Sequence, residues 1–253
     1  MKPLFINVPY RRVEENLARI LSLGTGIEIY IDNHLVEEAG DREVRELGNR
    51  LAGHGIAVTV HAPYMDLSPG GFDRSVRRIT KEKLKKAAGL AGLLHAKGLV
   101  CHPGYDKWRF GGNEELWLEG SVDTWTEVIA EAKGGPIVMV ENIFEEEPST
   151  LIALFDRFRE EDLFFCFDSG HFNLFSTVPV DKWLTPIRSL VREMHLHDNH
   201  GRSDEHLPVG EGTFPFRELK TFLSAQESMI FTAEVHGESR ANESIKKLKE
   251  FLS

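Results

Sequence analysis

Acidic and imidazole side chains recur at the ends of short apolar segments along this chain. A His, Asp or Glu stands where several of these segments stop. Carboxylates that are crowded in a cleft repel one another and resist the loss of water. A divalent cation removes that penalty, and mixed His and carboxylate ligands suit Zn, Mn, Co or Fe. The residues in question are His61, His102, Glu141, Asp168, His195, His197 and Glu234.

Two further stretches add residues of the same types. His171 follows Asp168 by three positions, and Asp204 and His206 lie in a polar stretch after the seventh apolar segment. A single His at a strand end is more often structural than a ligand, and Asp204 and His206 alone are typical of a surface loop. The recurrence of one residue class at the same strand position favours metal binding over both of these interpretations.

The apolar segments alternate with longer segments of helical periodicity. In the longer segments, apolar residues recur at spacings of three and four, as on one face of an amphipathic helix. The predicted helices cover residues 41–51, 74–94, 114–132 and 242–252, and another helix begins at Pro148 and Ser149. The predicted strands cover residues 4–8, 27–31, 57–61, 98–102, 137–141, 164–168, 191–197 and 230–235.

This alternation predicts an α/β fold in which helical crossovers connect parallel strands. Eight such units in about 250 residues favour one closed (β/α)8 TIM barrel, a single domain over residues 1–253. The alternative, an open doubly wound sheet, usually has a Gly-rich loop after its first strand, whereas Asn7-Val8-Pro9-Tyr10 stands there. We expect apolar strand interiors and a metal site at the C-terminal ends of the strands, which converge on one face of a barrel.

The composition argues against some classes of binding partner for this protein. The 30 basic and 40 acidic residues give a net charge of −10, which argues against binding nucleic acid by bulk electrostatics. Cys101 and Cys166 lie in apolar segments and are typical of buried thiols in a reducing compartment. No stretch reaches ~18 successive apolar residues, and the first apolar stretch is too short for a signal segment. We expect a soluble cytoplasmic protein with no membrane partner, and the sequence leaves its oligomeric state open.

Six short motifs stand at or just after the predicted strand ends. They are Val60-His61-Ala62-Pro63-Tyr64, Val100-Cys101-His102-Pro103-Gly104, Val140-Glu141-Asn142, Phe167-Asp168-Ser169-Gly170-His171, Met194-His195-Leu196-His197-Asp198-Asn199 and Asp204-Glu205-His206-Leu207-Pro208-Val209-Gly210-Glu211-Gly212. In this order they resemble the xylose isomerase-like TIM barrel superfamily, which contains endonuclease IV and the sugar phosphate isomerases and epimerases. The resemblance runs from the third predicted strand to the eighth, and the first two units carry no recognisable motif.

The resemblance implies one to three divalent metal ions (Zn, Mn, Co or Fe) for each chain. The central ion would be held by a set that both branches of the superfamily share: Glu141, Asp168, His195 and Glu234. The endonuclease IV pattern adds a second ion on His61 and His102, with Glu141 as the bridging ligand. It also adds a third ion on His171, Asp204 and His206.

The resemblance also implies two alternative activities. In an isomerase or epimerase, the metal ion stabilises an enediolate while Glu141 and Glu234 move a proton as general base and general acid. In an endonuclease IV-like phosphoester hydrolase, metal ions stabilise the attacking and leaving oxygens, and Glu141 is a bridging ligand. A catalytically inactive barrel that binds a metal ion or a metabolite is a third hypothesis, although such a chain should have lost some ligands.

The first hypothesis is an isomerase or epimerase that acts on a small sugar or sugar phosphate. The net charge, the few cations near the expected mouth and the lack of an expected glycine- and histidine-containing motif in the first loop disfavour a DNA-repair enzyme. A nucleic acid partner is therefore not expected. The residues predicted to bind the substrate are Tyr64, His197 and Arg202.

Overall fold

A closed barrel of parallel strands forms the centre of the molecule. The computed structural model describes residues 2–159, 162–223, 229–235 and 237–253. Each strand pairs with the next one in the chain, and the last strand pairs with the first. The strands are β1 (Leu4–Pro9), β2 (Gly26–Tyr30), β3 (Val58–His61), β4 (Gly98–Cys101), β5 (Ile137–Glu141), β6 (Phe164–Asp168), β7 (Val191–His195) and β8 (Ile230–Ala233). The predicted TIM barrel is confirmed.

Helices follow the strands and cover the outside of the barrel. They are α1 (Leu17–Leu23), α2 (Asn33–Glu38), α3 (Asp41–Gly53), α4 (Arg74–Leu93), α5 (Lys107–Phe110), α6 (Glu114–Ala132), α7 (Ser149–Phe155), α8 (Ser169–Phe175), α9 (Val180–Leu184), α10 (Phe216–Leu223) and α11 (Ala241–Leu252). Short 3-10 turns cover Tyr10–Arg12, Thr185–Leu190 and Glu238–Arg240. The sequence did not predict α1, α2, α5, α8, α9 or α10, because so few residues do not establish a helical period.

The long helices begin and end close to their predicted limits. Asp73 caps α4, because its carboxylate accepts hydrogen bonds from the backbone N–H groups of Ser75 and Val76. The face of α4 towards the barrel carries small buried residues such as Ala87 and Ala91, which allow close packing. Helix α6 packs beside α4 and buries Trp117 completely against this core.

Four strands end one or two residues earlier than predicted. β2 ends at Tyr30, β4 at Cys101, β7 at His195 and β8 at Ala233. His102, His197 and Glu234 therefore follow their strands instead of ending them. A strand end depends on pairing with the neighbouring strand, and the local sequence does not report that pairing.

A polar layer crosses the interior of the barrel, which corrects the prediction of apolar strand interiors. Glu28, Thr59, Glu193 and Thr232 are fully buried there. The hydroxyls of Thr59 and Thr232 donate hydrogen bonds to Glu193 Oε1. Burial, together with the nearby charge of Glu28, raises the pKa of Glu193 to about 8. The raised pKa favours the neutral form of Glu193, which costs less to place inside the barrel.

The two cysteines agree with the sequence prediction. Cys101 and Cys166 are free thiols and are buried, as predicted. Within the described ranges, none of the helices is both long and apolar enough to cross a bilayer.

Candidate metal centre

The strand ends place the predicted ligands around one opening of the barrel. Four strands end on one of these residues, and β4 and β8 are followed directly by one. Because the strands are parallel, these ends lie at the same rim. The residues are, in chain order, His61, His102, Glu141, Asp168, His195 and Glu234.

Glu141 lies at the middle of this group and is fully buried. Its Oε2 is 3.2 Å from Nε2 of His61 and 3.4 Å from Nε2 of His102. Its Oε1 is 3.2 Å from Nδ1 of His171 and 3.4 Å from Nδ1 of His195. One carboxylate thus presents each of its oxygens to a different pair of imidazoles. A carboxylate that bridges two metal ions has this arrangement.

The four residues of the predicted central set come together. One ligand atom from each of Glu141, Asp168, His195 and Glu234 lies within 4.8 Å of the others. Nδ1 of His195 is 3.4 Å from Oε2 of Glu234 and 3.8 Å from Oδ2 of Asp168. Three carboxylates and one imidazole at these separations can surround a divalent cation.

His61 and His102 form a second group with Glu141, again with ligand atoms within 4.8 Å of one another. Nδ1 of His61 donates to the carbonyl of Ala62 at 2.8 Å, so its Nε2 is the nitrogen that can hold an ion. The Tyr64 ring stacks on His102 with 4.3 Å between the ring centroids. These contacts keep both imidazoles turned towards Glu141.

Asp204 and His206 form a third group, which includes His197. Nε2 of His206 is 2.8 Å from Oδ2 of Asp204, and the His206 ring stacks on His197 with centroids 4.1 Å apart. His171, which the endonuclease IV pattern places with Asp204 and His206, contacts Oδ2 of Asp204 through Nε2 at 3.6 Å. His171 therefore lies between Glu141 and the third group.

Asp198 holds the loop that carries Asp204 and His206. This buried carboxylate accepts hydrogen bonds from four backbone N–H groups, those of Asn199, Gly210, Gly212 and Phe214. Asp198 also pairs with Leu207 through backbone hydrogen bonds in both directions. The loop is thus tied to the end of β7, which fixes two candidate ligands that lie outside regular secondary structure.

Burial and nearby charges act in opposite directions on the pKa values of the centre. Burial raises the pKa of Glu141, but His195, His102 and His171 outweigh it and hold this pKa well below the ordinary range. Burial lowers the pKa of His61, whereas its hydrogen bond to Glu141 and the surrounding carboxylates raise it, to about 9. A bound cation has to displace the proton that His61 carries near neutral pH.

The donor set fits a divalent cation, because several of its buried atoms make no hydrogen bond with the described residues. Buried polar atoms are nearly always hydrogen-bonded, since an unsatisfied one costs about 1–3 kcal/mol. Coordination of metal ions would satisfy these atoms together. The buried atoms without a hydrogen bond are Glu141 Oε1, His171 Nδ1, His195 Nδ1, His197 Nδ1, Asp204 Oδ1 and Glu234 Oε2.

A cavity of about 970 Å³ opens over the centre and is lined by Glu141, Glu234 and two of the predicted substrate-binding residues, Tyr64 and Arg202. Arg202 is exposed and makes no ion pair within the part of the chain that the structure describes. The third predicted substrate-binding residue, His197, is fully buried, and its Nε2 is 2.9 Å from Oδ2 of Asp168. His197 thus lies among the ligand atoms and does not line the cavity.

Three supporting residues were not predicted from the sequence. Oε2 of Glu28 is 3.0 Å from Nε2 of His195. Asn142 and Asp168 exchange two hydrogen bonds of 2.9 and 2.8 Å, which hold the ends of β5 and β6 together. Asp198 is the third. Asn142 and Asp198 lie within the quoted motifs. Glu28 could have been recognised as an acidic residue in the middle of an apolar strand.

Gly170→Ala is expected to displace His197 and to weaken metal binding. A Cβ atom at this position would overlap Cε1 of His197 and lie 2.6 Å from its Nδ1. Because His197 contacts Asp168, movement of the ring disturbs the central set. We expect metal affinity to fall roughly tenfold or more, as measured by competition with a chromophoric chelator. Gly92→Ala is the control, since its added Cβ meets nothing within 4 Å. Equal affinities in both variants would contradict the prediction.

A family model matches most of this closed barrel. The family model described as "xylose isomerase-like TIM barrel" matches residues 17–252. This chain belongs to the xylose isomerase-like TIM barrel family.

Two relatives of this barrel in Methanocaldococcus jannaschii are named as uncharacterized proteins. MJ1311 is 29% identical over 195 residues, which are 74% of this chain and 65% of MJ1311. MJ1614 is 26% identical over 175 residues, which are 66% of each protein, so the chain spans about two thirds of the length of both relatives.

Solved structures of similar barrels include proteins from both branches of the superfamily. The TTHB071 protein of Thermus thermophilus, soaked with ZnCl2, is 27% identical with a TM-score of 0.80, over 98% of this chain and 97% of that one. A D-tagatose 3-epimerase-like protein is 24% identical with a TM-score of 0.83, over 100% and 97% of the two chains. Endonuclease IV of the same Thermus species is 19% identical with a TM-score of 0.72, over 99% and 98%. The similarity to the last two structures, each less than 25% identical, supports the fold of this xylose isomerase-like barrel.

Proposed function

We propose that this xylose isomerase-like barrel is a divalent-metal-dependent phosphoester hydrolase with a two-metal centre at Glu141, acting on a small phosphorylated substrate. The proposal is supported mainly by the contacts of Glu141, whose Oε2 faces His61 and His102 while its Oε1 faces His171 and His195. Paired metal ions are typical of phosphatases and nucleases. A general base for a carbon-bound proton needs an oxygen free of the ligand groups. Both Glu141 oxygens lie within them, so hydrolysis takes precedence over the isomerase that the sequence favours.

The side chains around the cavity suit this reaction. The cations, when bound, supply Lewis acidity towards the phosphoryl oxygens and lower the pKa of the attacking water. The reaction adds the water oxygen to phosphorus, breaks the ester P–O bond and returns a proton to the leaving alcohol. Arg202 would bind the phosphoryl oxygens, since a guanidinium forms paired hydrogen bonds with such groups. Glu234 lines the cavity and would take up the proton of the water.

The dimensions and charge favour a small substrate over a nucleic acid duplex. A cavity of about 970 Å³ is of the size of small-molecule sites. A net charge of −10 opposes the approach of a polyanion, and the guanidinium of Arg202 can neutralise one phosphate group. Tyr64, stacked on His102 at the cavity wall, would contact the organic part of a sugar phosphate or a similar ester.

The proposal is tested with metal-free protein that is reloaded with Zn²⁺ or Mn²⁺ and assayed for phosphate release. The substrates are sugar phosphates together with a generic aryl phosphomonoester and phosphodiester. We expect two or more equivalents of metal for each chain, activity in the loaded protein and loss of activity after chelation. No hydrolysis of any ester by protein that has taken up its metal would overturn the proposal.

A metal-dependent sugar isomerase or epimerase is the second candidate. It is favoured by two carboxylates, Glu141 and Glu234, whose ligand atoms lie within 4.8 Å of one another. It requires that Oε1 of Glu141, which makes no hydrogen bond, stays free of metal. Such a pair could move a proton between carbon atoms of a bound sugar. Exchange of carbon-bound protons from ketoses in deuterated water, without release of phosphate, would select this candidate over hydrolysis.

Arg202→Gln is expected to raise KM for the phosphoester and to leave stability unchanged. A hydrogen bond to a charged group contributes about 1.5–3 kcal/mol, so we expect kcat/KM to fall roughly 10- to 100-fold. Arg202→Lys keeps the charge but loses the paired hydrogen bonds, so its kcat/KM should lie between those of the wild type and of Arg202→Gln. Arg42→Gln is the matched control, because Arg42 is 92% exposed on α3, far along the chain from the site loops. Steady-state kinetics that do not distinguish the Arg202 and Arg42 variants would contradict this role.

A further inference from the structure

A hydrogen-bonded chain leads from the half-buried Asn7 to His195 of the candidate metal centre. Nδ2 of Asn7 donates to Oε1 of Glu28 at 2.9 Å. Oε2 of Glu28 lies 3.0 Å from Nε2 of His195. Glu28 and His195 are both fully buried. Asn7 and Glu28 are paired on the adjacent strands β1 and β2, whereas His195 ends β7, so the last contact crosses the interior of the barrel.

This chain decides which nitrogen of His195 faces the metal centre. Glu28 accepts from Asn7, and a carboxylate that faces Nε2 keeps the ring proton on that nitrogen. The lone pair of the neutral ring is then on Nδ1. That atom is 3.4 Å from both Glu141 Oε1 and Glu234 Oε2, and it has no hydrogen-bond partner among the described residues.

We propose that Glu28 is a positioning residue that fixes the tautomer and the orientation of His195 as an Nδ1 metal ligand. The inference rests on the proposed metal centre and assigns to it a residue from β2, outside the six motifs. A carboxylate behind a ligating imidazole also makes that imidazole a stronger donor, and loss of such a partner typically costs 10- to 100-fold in metal affinity.

Glu193 is a natural comparison, because it is a second buried carboxylate in the same layer. It is fully buried, and Thr59 and Thr232 donate to its Oε1. Those partners belong to the wall of the barrel, while the carboxylate that accepts from Nε2 of His195 is that of Glu28. One carboxylate oxygen of each lies within 4.8 Å of the other and of a ring nitrogen of His195. The two residues therefore match in type, burial and distance, and they differ in that Glu28 makes the hydrogen bond to His195.

The test is the zinc affinity of the intact protein, measured by competition with a chromophoric chelator, together with the visible absorption of Co²⁺-loaded protein. We expect Glu28→Gln to weaken zinc binding roughly 10- to 100-fold and to change the Co²⁺ spectrum. Glu28→Asp, which restores a carboxylate on a shorter side chain, should recover part of the affinity. Glu193→Gln should leave both the affinity and the spectrum close to those of the wild type. Circular dichroism of the metal-free variants establishes that each one is folded.

The outcomes separate this inference from the proposed function. Wild-type affinity in a folded Glu28→Gln protein would overturn the role of Glu28, and so would an equal loss in Glu193→Gln. If the wild-type chain takes up no zinc or cobalt, then the two-metal centre itself is refuted. If zinc binds and responds to Glu28 but no phosphoester is cleaved, Glu28 keeps its role and hydrolysis fails.

Discussion

Glu141→Gln is expected to abolish hydrolysis and to remove at least one metal ion from each chain. Glu141 is the residue whose two oxygens face two pairs of imidazoles, and an amide offers a single uncharged oxygen in its place. Since a bound ion supplies several kcal/mol of charge stabilisation, we expect kcat to fall by roughly 10³-fold or more. Elemental analysis of the purified protein gives the metal content, and steady-state assays give the rate.

Glu145→Gln is the matched control for this variant. Glu145 is a buried carboxylate on the loop after β5, and its Oε2 accepts a hydrogen bond from the backbone N–H of Ile143 at 2.7 Å. It belongs to none of the three ligand groups, so its variant should keep both metal and activity. If Glu141→Gln retained its full metal content and lost only carbon–proton exchange on ketoses, Glu141 would be a general base, and the isomerase would be favoured.

Zinc is expected to stabilise the protein against heat, and the stabilisation is expected to increase with pH. A ligand at 100 times its Kd stabilises the folded state by about 2.7 kcal/mol. For a chain of this length, that corresponds to a rise in Tm of roughly 5–10 °C. Protons compete with zinc for the imidazoles, and this competition weakens as the pH rises towards the His61 pKa of about 9.

The metal-free protein is expected to show the opposite trend with pH. The pKa of His61 is raised from 6.5 to about 9 in the folded protein. Its contribution to the free energy of unfolding is therefore fully present below pH 6.5 and is lost as the pH rises through 9. Thermal melts with excess chelator and with excess zinc, between about pH 6 and about pH 8.5, measure both trends. A zinc-induced shift in Tm that declines over this range would contradict the expectation.

The barrel could be predicted because its determinants are local and repeated. An apolar segment followed by an amphipathic helix specifies one βα unit, and parallel strands require such crossovers. Helix α6 begins at Glu114 and ends at Ala132, as its periodicity predicts. Most of the short helices and the ends of β2, β4, β7 and β8 were missed, since they depend on packing and pairing with neighbours. The polar layer around Glu193 was missed for a similar reason, because its hydroxyl donors come from other strands.

Two groups of candidate ligands could be predicted from the sequence, whereas the membership of the third could not. Glu141, Asp168, His195 and Glu234 were predicted to share one ion, and their ligand atoms lie close together. His197 was predicted to bind substrate, yet it lies among the ligand atoms with Asp204 and His206. Glu28 could not be connected to its partner in advance, because His195 is 167 positions away in the chain.

By itself, the sequence determined the α/β barrel and the residue types at its open rim. Strand polarity and residue type are properties of short segments, and parallel strands bring all their carboxyl ends to one face. Only the tertiary structure decided that Glu141 divides its oxygens between two pairs of imidazoles and that Glu28 stands behind His195. Coordination depends on differences of an ångström or less between atoms on different strands. Closure of the barrel and rotamer packing set those distances, and neither leaves a signal in the spacing of residues along the chain.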